Sequence, residues 1–147
     1  MIKDILVEDV IATDVEVSDW YAAVKACGDL LVKANRVKPE YISTMIAVVE
    51  EFGPYMILVP EVIFFHGRPG ALVNSLGLSL ITLKKPIFFR EFAYQKISCA
   101  FGFGAVDAKS HLDLLADLSS LLQDKKFIEL ITHNGKKEDI MELINKY

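Results

Sequence analysis

Residues 55–70 read Tyr55-Met56-Ile57-Leu58-Val59-Pro60-Glu61-Val62-Ile63-Phe64-Phe65-His66-Gly67-Arg68-Pro69-Gly70. Two apolar runs, split at Pro60, lead into a histidine, an arginine and a glycine- and proline-rich turn. Residues 55–59 are nearly all apolar, the pattern of a strand covered on both faces, and 62–65 resume after the proline break. The end of such a strand is where α/β proteins tend to display reactive groups. Neutral imidazole is well populated near its reference pKa of about 6.5, so His66 can act as a nucleophile. Arg68 is a permanent cation able to hold an anion at two points. Gly67 would let a substrate approach the backbone without a Cβ in the way. Together these residues point to phosphate or carboxylate chemistry on a histidine.

Upstream, residues 7–17 alternate loosely and are rich in β-branched side chains, as in a strand. Ser18 is placed to cap a helix starting at Asp19-Trp20, in which Trp20, Val24, Cys27, Leu31 and Ala34 share one face. Pro39 suits the first turn of a second helix with Ile42, Met45, Ile46 and Val49 inward, ending at Gly53-Pro54. Downstream, residues 72–83 alternate and stop at Lys84-Lys85-Pro86, and residues 96–106 form another strand. Gly102 and Gly104 within it suggest a bulge or a close backbone approach. They are not a nucleotide loop, since no helix with the right fingerprint follows, and no cofactor is read. Asp107 or Ser110 can cap a helix, 110–123, with Leu112, Leu115, Leu118 and Leu122 on one side. Asp124 starts another with Phe127, Ile128 and Ile131. Gly135 breaks it, and Glu138 to Tyr147 form a last helix. The order predicts a layered α/β or α+β domain.

The 147 residues fit one compact domain, 1–147, with no repeat or linker to mark a boundary. At 52% hydrophobic residues the chain can fill a core, which excludes disorder as its native state. A net charge of -4 without a basic stripe argues against nucleic acid. The lysine pairs 84–85, 125–126 and 136–137 are scattered and read as solvated surface, although such pairs can also meet an acidic partner protein. Cys27 and Cys99 form no disulfide framework and read as small buried residues. No signal peptide is read, and the longest apolar run is too short for a bilayer and contains Pro60 and Glu61. A soluble, reducing, cytoplasmic setting is expected.

His111 stands just past a strand end, at the start of the helix that follows. If its strand and that of His66 are neighbours in the sheet, the two rings can meet, beside a helix end that favours anions. Each residue also has a plainer role: His111 as a capping or surface histidine, Arg68 as a solvated turn residue, Glu61 as an exposed strand-break residue. His133, before Asn134-Gly135, is read as a helix-end histidine. Two histidines and Glu61 can in principle bind zinc, but no ligand motif such as His-Glu-x-x-His is present, and no metal is assigned.

In Asp19-Trp20, Tyr41 to Met45, Gly53-Pro54-Tyr55, Pro60, His66, Arg68-Pro69, Leu83-Lys84-Lys85-Pro86, Asp107 and His111-Leu112 with Leu114-Leu115, the chain resembles a known family. This is the IIA component of the bacterial phosphoenolpyruvate-dependent sugar phosphotransferase system, mannitol/fructose superfamily, and within it the ascorbate-type branch. The resemblance implies a mixed β-sheet flanked by helices on both faces. It implies that His66 takes a phosphoryl group from the phosphocarrier HPr through Nε2 and passes it to a cysteine of a IIB partner. The cargo would be an ascorbate-like or polyol sugar, and contact with the membrane would be indirect, through IIC. His111 would support the phosphorylated ring and Arg68 would stabilise the phosphate, as their chemistry allows.

Three positions depart from the family pattern. Glu61 stands where a glycine is usual and Phe65 where a proline precedes the histidine. Val49 stands where the mannitol branch carries an arginine. Glu61 is expected to bring negative charge near the site, and Phe64 and Phe65 to form an altered apolar collar around His66. These departures define a second reading, a regulatory protein-interaction module without efficient transfer, with regulatory proteins as partners. An exposed collar would also permit a homodimer.

Overall fold

In the computed structural model, which describes residues 2–54, 56–89, 93 and 95–147, the second apolar run becomes strand β3 (Glu61–His66). Side chains alternate across a strand, so Val62 and Phe64 enter one apolar cluster while Ile63 and Phe65 enter another. Its neighbour β5 (Gln95–Gly104) alternates from Cys99 onward, with Cys99, Phe101 and Phe103 against Ala100, while Ile97 joins the second cluster because the register to β3 slips by one residue between Ile97 and Cys99. Strands β1 (Ile11–Val15), β2 (Ile57–Val59) and β4 (Gly77–Phe89) complete the sheet. Among the described residues its order is β1-β4-β5-β3-β2. The β1/β4 and β3/β5 pairs are parallel, and β4/β5 and β2/β3 antiparallel, so the sheet is mixed, as expected.

Helices cover both faces. Helix α2 (Trp20–Lys33) and α3 (Tyr41–Phe52) pack on one, through Val24, Cys27, Leu31, Met45 and Val49. Helix α1 (Ile2–Ile5), α4 (Ala108–Leu122), α5 (Lys125–Thr132) and α6 (Lys137–Ile144) pack on the other. Each fully buried Leu, Ile or Phe contributes about 1.5–3 kcal/mol of transfer free energy. Cys27 and Cys99 are buried free thiols on opposite faces. The close approach expected at a strand glycine is real at Gly102. A Cβ there would lie 2.7 Å from Cys27 Cβ and 2.8 Å from Ser79 Oγ, so only glycine lets α2 settle on the sheet.

Several expectations are corrected. Residues 57–59 are not a doubly covered central strand: β2 is a three-residue edge strand beside β3. It is apolar because it caps both clusters, Val59 packing on one and Ile57 on the other. Tyr55 lies outside the described residues. Strand β4 does not stop at Lys84-Lys85-Pro86 but runs on to Phe89. Those three residues are exposed, and the register to β5 slips between Thr82 and Ile87, so Pro86 costs no ladder hydrogen bond. Nor does β4 start at residue 72: residues 71–76 form turns, with Val73 bridged to Val37.

At α2 the cap is Asp19 rather than Ser18; its carboxylate accepts the Ala22 N–H at 2.9 Å. Asp107, not Ser110, caps α4, which therefore begins at Ala108. Its buried row is Leu114, Leu118, Leu121 and Leu122, and Leu112 is 65% exposed. The leucines of this helix supply two overlapping stripes, and the sheet selects the one that leaves Leu112 outside.

Candidate functional site

The site lies where the β3–β5 ladder ends. The last pair in the parallel register is His66 with Phe103. By alternation the His66 ring falls on the same face as Val62 and Phe64, the face that α4 covers. Strand β5 ends at Gly104 and the chain turns through Asp107 into α4, whose first turn is closed by the His111 N–H bonding Asp107 C=O at 3.2 Å. The Asp107 carboxylate accepts the Ser110 N–H at 2.8 Å and sets the direction of that turn. Adjacency of the two strands thus delivers the second histidine to the first.

The three rings form a compact group. His66 lies nearly parallel to Phe103, with centroids 4.9 Å apart and planes at 15°. His111 stands edge-on to both, 5.3 Å from His66 at 77° and 5.0 Å from Phe103 at 67°. His66 is 8% exposed, and His111 is half-buried. Burial lowers the His66 pKa from 6.5 to about 4. The neighbouring His111 acts in the same sense, and a backbone hydrogen bond at Phe64 acts against them. Burial also lowers the His111 pKa. At neutral pH His66 is therefore an uncharged imidazole with a lone pair, the form a nucleophile requires.

Tyr41, at the start of α3, holds this corner from the opposite face of the sheet. Its hydroxyl accepts the Gly67 N–H at 2.7 Å and donates to Phe103 C=O at 2.9 Å. Burial raises its pKa to about 12, so the hydroxyl keeps its proton. The space beside Gly67 is taken up by α3, not by a substrate path as the sequence suggested. A Cβ there would overlap Thr44 Oγ1 and lie 2.9 Å from Tyr41 Cε1.

The other expected residues fall elsewhere. Arg68 points outward, its side chain 79% exposed, and meets Glu51 at 3.9 Å; the structure does not bring it into the ring group. Glu61 does not bring charge to the site. It opens β3 at the end away from His66, about 16 Å off at roughly 3.3 Å per residue. There it accepts a hydrogen bond from Ser98 and pairs with Lys96 at 3.4 Å. Phe64 and Phe65 are not an exposed collar: they are 2% and 0% exposed and belong to the two cores. The exposed-collar basis for a homodimer is thereby removed. His133 ends α5 and lies outside the ring group.

Sequence reasoning missed Phe103 and Tyr41. The period-two position of Phe103, two residues from Phe101 on the face of β5 that meets α4, was a usable signal. Nothing local marked the Tyr41 hydroxyl as a bridge. A groove of about 530 Å³ lined by Val17–Tyr21 and Lys85–Phe88 lies toward the other end of the sheet. Among the described residues, no group of three or more His, Cys, Asp or Glu is placed to hold a metal. No helix there is long and apolar enough to cross a membrane.

The chain is similar to known proteins over nearly its whole length. The family model described as "Phosphoenolpyruvate-dependent sugar phosphotransferase system, EIIA 2" matches residues 4–147. The ascorbate-specific phosphotransferase-system EIIA component of Escherichia coli (strain K12) is 32% identical over 147 residues, covering 99% of this chain and 96% of that protein. The solution structure of the mannitol-specific cryptic phosphotransferase enzyme IIA CmtB from Escherichia coli superposes with a TM-score of 0.88. It is 26% identical and covers 99% of each chain. Enzyme IIAMTL of Escherichia coli, in complex with phosphorylated enzyme IIBMTL, superposes at 0.83 with 19% identity, a likeness of fold, covering 97% of this chain and 98% of that one.

Proposed function

Because the chain belongs to the EIIA 2 family of the phosphoenolpyruvate-dependent sugar phosphotransferase system, we propose that it is a phosphoryl carrier with His66 as the acceptor. The observation that carries this reading is the buried, uncharged His66 ring with His111 edge-on at 5.3 Å. A lone pair on the His66 ring attacks the phosphorus of phosphorylated HPr. The new P–N bond forms as the donor's P–N bond breaks, and that electron pair returns to the donor ring. In the second half, a IIB cysteine thiolate attacks the same phosphorus and His66 recovers its lone pair. Such transfer requires positioning and charge stabilisation more than covalent help from the protein.

His111 supplies the stabilisation. Phosphorylation adds about 1.5–2 negative charges. An anion beside an imidazole favours its protonated form, so phosphate on His66 draws a proton onto His111, which then donates a charge-assisted hydrogen bond. Arg68, two residues along an exposed turn, reaches the phosphoryl oxygens once it leaves Glu51; weak exposed pairing makes that exchange easy.

The E. coli relative supports an ascorbate-like sugar for the system, the likeness to mannitol-specific CmtB keeps a polyol as the alternative, and the complex of enzyme IIAMTL with phosphorylated enzyme IIBMTL supports a IIB partner. Recognition of the sugar itself falls to IIB and IIC, and the carrier works at the cytoplasmic side. The test is intact mass after incubation with phosphoenolpyruvate, the first enzyme of the pathway and HPr. One acid-labile phosphoryl group is expected, and none in His66→Ala. No gain in a folded protein, beside a IIA control that reacts, would remove the carrier reading and favour the interaction module.

A further inference from the structure

We propose that Tyr41 is a positioning residue for His66, its hydroxyl tying together the ends of the two strands that carry the histidine and the ring beneath it. The inference rests on the carrier reading for its kinetic consequence but not for its geometry.

The β3–β5 ladder gives out after the pair His66–Phe103. Beyond it β3 leaves into the Gly67-Arg68-Pro69 turn, and the next N–H, that of Gly67, is buried. One hydroxyl serves both strands: it accepts from Gly67 N at 2.7 Å and donates to Phe103 O at 2.9 Å. Tyr41 is 1% exposed, so water does not stand in for it. Its ring belongs to the cluster on the face away from His111. Tyr41 therefore touches neither the His66 ring nor an incoming phosphoryl group, and acts through the backbone alone.

The contact is pressed together rather than incidental. The missing Cβ of Gly67 leaves room for the Tyr41 ring and Thr44, so α3 sits directly on the residue after the nucleophile. Removing the hydroxyl leaves a buried N–H and a buried C=O without partners, and the strand ends must part to hydrate them. That movement shifts His66 against Phe103 and His111, whose spacing fixes the direction of the lone pair. In-line phosphoryl transfer is sensitive to misplacement on this scale.

Tyr41→Phe tests the proposal. The His66 ring resonances, set by the stacked Phe103, should move while those of His133 stay in place. The maximal rate of phosphoryl acceptance from phosphorylated HPr should fall about tenfold or more, with KM within about twofold, because the docking surface is untouched. In the unmutated protein the Gly67 amide should exchange with solvent at least about tenfold more slowly than that of exposed Arg68. An unmoved His66 ring in a folded variant, or a maximal rate within about twofold of the original, overturns the proposal. So does a Gly67 amide that exchanges as fast as Arg68's, a result that decides the matter even if Tyr41→Phe does not fold. If the unmutated protein accepts no phosphoryl group, the carrier reading fails, and the ring resonances and amide exchange still judge the tie.

Discussion

Replacing His66 with glutamine should make the protein less sensitive to acid, and the structure sets the size of the effect. Burial holds the His66 pKa at about 4 in the folded chain, against 6.5 for the free side chain. Above pH 6.5 the ring is neutral in both states and contributes no pH dependence. As pH falls through 6.5 the unfolded chain gains a proton that the folded chain refuses, so stability drops; the loss levels off below the folded value. At about 1.36 kcal/mol per pH unit, the loss specific to His66 reaches about 3 kcal/mol by pH 4. At 8% exposure the ring is buried enough for solvent screening not to erase it. The assay is urea unfolding of both proteins at several pH values between about 7.5 and 4. Carboxylates with lowered pKa values, such as Glu61 and Asp124, titrate alike in the two proteins, so their part cancels in the difference. Parallel stability curves, within about 0.5 kcal/mol over the whole window, would refute the claim that burial keeps His66 neutral.

Other consequences are independent of that titration. Leu118→Ala, at a fully buried position of α4, should cost about 2–5 kcal/mol in urea unfolding and should also lower phosphoryl acceptance in proportion to the unfolded fraction alone. Glu61→Gln should leave the rate of phosphoryl acceptance within about twofold, since the carboxylate lies at the far end of β3; a large gain in rate would mean its charge does reach His66. Gly67→Ala should lower the melting midpoint markedly, because its methyl meets Thr44 and Tyr41; an unchanged midpoint would show that α3 does not press on this turn.

The layered architecture was legible because the dominant signals were long and periodic. The unbroken apolar run before His66 marked a strand covered on both faces, and the single apolar faces of α2 and α3 needed only the period of 3.6. Errors arose where tertiary context outweighed the local pattern. Lys84-Lys85-Pro86 looked like a stop, yet β4 passes through it by emerging from the core and slipping register. Leu112 matched a buried stripe as well as Leu114 did, and only the position of the sheet decides between them. At the site, His66 and His111 were readable as residues standing at strand ends, and their meeting followed once β3 and β5 proved to be neighbours. Glu61 was misjudged because nearness in sequence along an extended strand means distance in space. Tyr41 was invisible as a site component because its role is a pair of hydrogen bonds between its hydroxyl and backbone groups 26 and 62 residues away.

The central claim is that His66, rather than its neighbour, receives the phosphoryl group. Fragmentation mass spectrometry under non-acidic conditions, after phosphorylation by phosphoenolpyruvate, the first enzyme and HPr, locates the group on a single residue. The account predicts phosphate on His66, with His111 unmodified. Phosphate on His111, or elsewhere with His66 bare, would contradict it.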